Sequence, residues 1–270
     1  MKFPFSTILN IVAINSIIFL YWKYIHYFNM ARIIHFVLLS VTIGFILSSP
    51  LQYIEGAESV KIFPPNSKPY GLSYNEHIKN FWKWLASMPI DTNPMKDKTG
   101  EKCPNKQLHT NSSVFYLSGG GGGEWNRVCN APAGKGLLIP VMTVEVSTNE
   151  VEEGKGTPEE LSKAAREDQD SVNSLNLKIN NDVYPYANLS KYRTHTDSFD
   201  IEFPNNGIFG AKPGFGKAVA DGYYIITEPL NKGNYTIEYK GSLKCLPTQG
   251  DCQPESVIFA HDIKYKVIVE

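Results

Sequence analysis

The chain lacks most of the patterns from which an activity is read directly. It has no G-x-x-x-x-G-K-[ST] phosphate loop, no G-x-S-x-G, no H-E-x-x-H and no C-x-x-C. Their absence removes the local signatures of nucleotide hydrolysis, of α/β-hydrolases, of zinc proteases and of dithiol redox or zinc-ribbon chemistry. No excess of one charge is present either. Lys plus Arg is 26 and Asp plus Glu is 27, so there is no basic surface to displace the counterions of a nucleic acid, and no such partner is expected. No internal repeat is visible, and no serine–histidine constellation is legible in the order of residues.

Histidine is scarce beyond residue 58: His77, His109, His195 and His261. His195 and Asp197, two apart, would share a strand face and offer half of a metal site or a plain strand-edge pair.

What is present begins with two apolar runs. Phe3–Trp22 and Ile33–Ile54 are each long enough to cross hydrocarbon as a helix, which takes about 20 residues. In one reading both span a membrane, joined by a link holding Lys23 and Arg32. In the other, residues 1–29 are an upstream extension and residues 30–57, opening on Met30-Ala-Arg, are a signal peptide or anchor, with Gly56-Ala57 as a cleavage site. Both readings export residues 58–270 and allow a membrane contact through any uncleaved segment.

Export suits the four cysteines. Cys245 and Cys252 are close, flanked by Pro247, Gly250 and Pro254, so the simplest pairing is Cys103–Cys129 and Cys245–Cys252. Other pairings, free thiols and a zinc site are the alternatives. Asn111, Asn188 and Asn234 each begin an N-x-S/T triplet and are N-glycosylation candidates.

The exported part reads as an all-β, antiparallel β-sandwich or jelly-roll-like domain with a short N-terminal helix and a helical insertion. Ser73-x-x-Glu76 is a capping box before Ile78, Phe81, Trp82, Leu85 and Met88 at helical spacing, and Pro89 closes that helix. Thr157-Pro158-Glu-Glu160 opens the insertion, about residues 157–175, expected on the surface. Ser198–Phe203 and Tyr235–Tyr239 alternate apolar and polar residues as half-buried strands do, and Pro140 marks an edge or a bulge in Leu137–Val146.

Two groups of residues are candidates for binding. Asp91, Asn93 and Asp97 supply oxygen ligands on a loop ending at Gly100, the type of set calcium uses, although the EF-hand spacing is absent. The same residue types cap turns without metal. The second group surrounds five consecutive glycines, Gly119–Gly123. A flexible connection between strands is the plain reading. The functional reading is a ligand loop carrying Glu124, Trp125 and Arg127, with Trp84 as a stacking ring.

The runs Phe81-Trp-Lys-Trp-Leu, Asn93-Pro-x-x-Asp97-x-Thr-Gly100-x-x-Cys103 and Arg127-x-Cys129-x-x-Pro-x-Gly-Lys135-x-Leu-x-x-Pro140-Val resemble a pattern in an uncharacterised family of prokaryotic exported proteins. Asp221-Gly-Tyr-Tyr and the closing Tyr265-x-Val-x-Val are similar to that family's last strands. The resemblance covers about residues 80–270. It implies one continuous exported domain and assigns no activity and no catalytic residue.

Together these readings predict an exported or cell-surface, non-catalytic protein that binds a carbohydrate, a wall polymer or a surface protein. A hydrolase using a carboxylate pair, which nothing in the residue order selects, and a structural envelope component are the alternatives.

Overall fold

The computed structural model describes residues 59–107, 112–152, 156–247 and 252–270, all within one unit, Ala57–Glu270. The two apolar runs, Asn111 and His109 lie outside the described residues. Among the described residues, no helix is long and apolar enough to cross a membrane.

Helix α1, Tyr74–Ala86, begins as its sequence predicts: the Ser73 side chain accepts from the Glu76 N–H and the Glu76 carboxylate accepts from the Ser73 N–H. Its apolar stripe buries Ile78, Phe81, Trp82 and Leu85. The fold is otherwise mostly β. One sheet contains β1 (Val114–Tyr116), β3 (Gly136–Ser147), β8 (Gly214–Ile226), β6 (Arg193–His195) and β7 (Phe199–Phe203), the last two both pairing with β8. The second runs β2 (Gly123–Ala131), β10 (Val257–Val269), β9 (Gly233–Lys244), β4 (Val172–Ile179) and β5 (Asp182–Pro185). Residues from both sheets and from α1 join one hydrophobic core, whose largest wholly buried rings include Tyr224, Tyr239, Tyr265, Phe81 and Phe115.

The sheets are mixed, which corrects the expected antiparallel arrangement. β1 pairs parallel with β3, and β2 pairs parallel with β10 over nine residue pairs. Parallel neighbours cannot be joined by a tight hairpin. Here β1 belongs to one sheet and β2 to the other, so the chain crosses between sheets through Ser118–Gly122. The glycine run is that crossing. Pro140 sits at a register shift between Pro140 and Met142, as predicted. β1 covers β3 only over Gly136–Leu138, and among the described residues the outer edge of β3 has no strand partner beyond that point.

Helix α2, Pro158–Asp170, has the second capping box, with Thr157 and Glu160 exchanging bonds. It lies at the surface, most of its residues exposed, and packs through a narrow apolar face. Leu161 and Ala165 are buried against Val219, with Val144 and Val146 beside them. Its charged residues mask a narrow stripe, two small side chains wide, that suffices to dock it on β3 and β8. A four-residue turn of helix, α3 (Tyr186–Leu189), precedes β6.

Both predicted disulfides are present, Cys103–Cys129 and Cys245–Cys252, with Cα–Cα distances of 5.8 and 5.9 Å. They fit an oxidising, extracytoplasmic environment. Asn188, in α3, and Asn234, at the start of β9, are exposed.

Candidate functional site

The glycine run lines a cavity of about 390 Å³ at the open edge of β3, within the size range of small-molecule sites. Phe81, Trp82 and Leu85 of α1 form one wall. Pro140, Met142, Thr143 and Glu145 of β3 form another, followed by Glu150. Phe209, and Phe259 and His261 of β10, close it, with Lys96 and Gly119–Gly121 at its rim. Glycine is required here by contact: a Cβ at Gly120 would lie 2.6 Å from the Trp125 Nε1. At Gly122 the backbone has φ +89°, a conformation that side chains other than glycine's rarely adopt.

The polar groups of this cavity are unusual. Glu145 is 6% exposed, and its buried carboxyl has no cationic partner and no close N–H donor; the Glu150 carboxyl and the Ser147 hydroxyl are the groups beside it. Burial pushes its carboxyl well above the ordinary carboxylate range, and the neighbouring Glu150 carboxyl pushes it further. Glu150 is raised too, by burial, against hydrogen bonds that favour its charge. The Ser147 N–H and hydroxyl donate to Glu150 Oε2 at 3.0 and 2.6 Å. Two carboxyls this close hold a proton between them more readily than two charges.

His261 places Nε2 2.8 Å from the Val141 carbonyl, so this nitrogen is the protonated donor. Burial lowers its pKa to about 4. It is therefore a neutral ring that satisfies the backbone of β3 at the bulge.

The two acids and the histidine act oppositely on stability. His261's share is complete above its unfolded pKa, near 6.5, and is lost as pH falls towards its folded value of about 4. The contribution of Glu145 is complete below its unfolded pKa, near 4.3, and is lost as pH rises through its raised folded value.

The residues singled out from sequence do not converge on this cavity. Glu124, Trp125 and Arg127 lie on strand β2 rather than on a loop. Strict alternation leaves Glu124 exposed and turns Trp125 and Arg127 inward. Trp125 stands behind the glycine run, its Nε1 donating to the Gly122 carbonyl at 2.7 Å. Arg127 is buried. It donates to the carbonyls of Asp97, Ser118 and Gly119 and to the Tyr265 hydroxyl, at 2.6–2.9 Å. Its guanidinium also faces the rings of Trp125 and Tyr265. Trp84 is buried elsewhere and donates to the Asn105 carbonyl at 2.9 Å.

The calcium candidates are occupied by the chain itself. Asn93 Oδ1 accepts from the Met95 N–H and its amide donates to the Leu85 carbonyl. Asp97 accepts from the Thr99 N–H and hydroxyl and from the Lys102 N–H. Although burial opposes it, those bonds hold the Asp97 carboxyl below its usual range. Asp91 is exposed. Among the described residues, no group of three or more His, Cys, Asp or Glu could hold a metal ion.

His195 and Asp197 do not pair. Asp197 meets Lys79 at 3.5 Å. His195 instead joins two residues far from it in sequence: its Nε2 lies 2.8 Å from Ser162 Oγ and its Nδ1 3.3 Å from Asp221 Oδ2. A serine–histidine–aspartate chain thus exists after all, assembled by α2, β6 and β8. Asp221 is buried and also held by Arg193 through both oxygens, each at 3.0 Å.

Glu145, Glu150 and Ser162 were the functional candidates that sequence reasoning missed. The only available signal for Glu145 was a carboxylate inside the otherwise apolar strand Leu137–Val146. No family model, no curated protein and no solved structure matches the chain.

Proposed function

We propose that residues 58–270 are an exported, non-catalytic β-sandwich binding protein whose ligand enters the cavity under the glycine run. The observation that carries this reading is the Glu145 carboxyl, buried beside the Glu150 carboxyl without a cationic partner, at a cavity walled by aromatic rings. A chain that keeps such a group gives up stability for it, since burying a carboxyl without a counter-charge is unfavourable. A ligand that supplies a donor repays that cost.

Export is supported by the disulfides, by the apolar runs ahead of residue 58 and by the resemblance to exported proteins. If the N-terminal run is retained, the protein works at the membrane face. A concave site of about 390 Å³ suits a small molecule, a sugar or one unit of a wall polymer. A protein partner would instead need roughly 800 Å² of complementary surface on each side. The cavity likewise favours a binding role over a purely structural one.

The test is hydrogen exchange of the full chain with and without the small-molecule fraction of the cell envelope. Protection is expected in Gly119–Gly123 and Pro140–Glu145, and it should vanish in Thr143→Trp, which fills the cavity. Unchanged exchange in these segments sinks the reading.

A second reading, hydrolysis, is favoured by the Ser162–His195–Asp221 chain rather than by a carboxylate pair. A serine activated by a histidine, itself oriented by a buried carboxylate, is the arrangement acyl transfer uses. Against it, Arg193 meets the Asp221 charge through both oxygens. The chain then serves to fasten α2 to β6 and β8. A serine-directed fluorophosphonate probe separates the two. The binding reading expects no labelling. Labelling that disappears in Ser162→Ala would establish the hydrolase.

A further inference from the structure

We propose that the cavity selects an amine: a cationic N–H group seated against Glu145, with an apolar body among the rings of Phe81, Trp82, Phe209 and Phe259. This rests on the binding reading above and names the chemistry of its ligand.

Three observations lead to it. First, Glu145 has no cationic partner: both oxygens are buried, and the groups that approach them are the Glu150 carboxyl and the Ser147 hydroxyl. A ligand that offers only acceptors, such as a carboxylate or a phosphate, would meet repulsion from it and from Glu150. Second, the chain supplies no counter-charge inside the cavity. His261 is neutral and spends Nε2 on the Val141 carbonyl. Lys96 is exposed at the rim, and no ion pair joins it to Glu145 among the described residues. The apolar residues that helix α2 buries beside this strand are Leu161 and Ala165, packed with Val144 and Val146. Third, the walls are aromatic on several sides, and ring faces attract cations as well as apolar carbon.

Glu150 completes the site. Ser147 holds its carboxylate from one side with two donors, which fixes it as a second acceptor next to Glu145. An ammonium between the two carboxyls replaces the proton they would otherwise hold. Binding of the amine therefore releases a proton from the pair, and affinity rises with pH until both carboxyls are ionised. Of the other titratable groups at the cavity, His261 stays neutral above pH 5 or so, given its pKa of about 4. It therefore does not reverse this trend between pH 6 and 9.

The experiment compares three probes of similar shape, 2-phenylethylamine, 2-phenylethanol and 3-phenylpropionate. Each is titrated calorimetrically into the full chain in detergent micelles, with micelles alone as the blank. The amine is expected to bind at least ~10-fold tighter than the alcohol at pH 8, with the acid weakest. Its advantage should shrink at pH 5. In Glu145→Gln the amine should lose about 10-fold while the alcohol changes little. Equal affinity for all three probes overturns the amine assignment and leaves the cavity reading standing. Failure of all three to bind the wild type overturns both. If Glu145→Gln does not fold, as thermal unfolding would reveal, the ranking on the wild-type chain decides alone.

Discussion

Arg127→Met is expected to destabilise the protein by about 2–5 kcal/mol, which lowers the unfolding midpoint by roughly 4–20 °C for a domain of this size. The side chain is 3% exposed, and its donors reach four acceptors on three separate pieces of chain. Asp97 belongs to the loop after α1, Ser118 and Gly119 begin the crossing between sheets, and Tyr265 is in β10. The loop after α1 and the crossing carry no strand pairing at that point, whereas Tyr265 is paired within β10 to Arg127 itself and to Ile237.

Methionine keeps the stem's volume but leaves the carbonyls of Asp97 and Gly119 without that donor, while the Ser118 carbonyl still accepts from the Tyr239 and Tyr265 hydroxyls. Each orphaned acceptor costs about 1–3 kcal/mol. Arg127→Lys should recover only part of the loss, because an ammonium is a point donor and cannot span the same fork. Thermal unfolding followed by circular dichroism measures both. A methionine variant with the wild-type midpoint would remove the keystone role and return Arg127 to the list of ligand contacts.

Arg127 also shows where legibility in the sequence ends. The alternation that buries it is plain in Gly123–Ala131 once that segment is known to be a strand. Five preceding glycines and a charged residue at each of positions 124 and 127 argue locally for a loop. The strand exists because β10, more than 130 residues later, supplies a parallel partner. Features decided by neighbours were readable. Both capping boxes formed, because a cap needs only a few consecutive residues. Phe199–Phe203 buries every second side chain as its alternation predicts. The Cys245–Cys252 loop closed as its spacing suggested.

The candidate site was the least readable part, for the same reason. Its walls come from α1, the glycine crossing, the β3 edge and β10, and no window of sequence brings those together. Glu145 and Glu150 are five apart across the end of a strand, a spacing without meaning until the turn folds one carboxyl towards the other. Ser162, His195 and Asp221 span 59 residues and three elements. The parallel pairings were hidden too, since strand direction follows from which sheet the chain enters next, not from the strand's own composition.

Those long-range closures make the Cys103–Cys129 bond the more consequential of the two disulfides. It links the loop after α1 to the middle of β2, across a separation of 26 residues, whereas Cys245–Cys252 spans 7. By loop-closure entropy alone, losing the first costs about 3.5 kcal/mol and losing the second about 2.4. The paired variant Cys103→Ser/Cys129→Ser should therefore melt lower than Cys245→Ser/Cys252→Ser.

A further effect widens the gap. Cys103 and Cys129 are both buried in the common core, next to the loop whose Asp97 carbonyl receives Arg127. Serine hydroxyls there would be left in apolar surroundings, and the loop that the bond anchors would strain the guanidinium contacts. Cys245–Cys252 closes a peripheral loop between β9 and β10, whose strands pair along twelve residue pairs without it. Midpoints measured on the two double-serine variants under identical conditions test this ordering. Equal losses would mean that the 103–129 bond closes a loop already confined by the sheets, and that side-chain hydrogen bonds from Arg127, Trp125, Tyr239 and Tyr265 suffice to hold the glycine crossing.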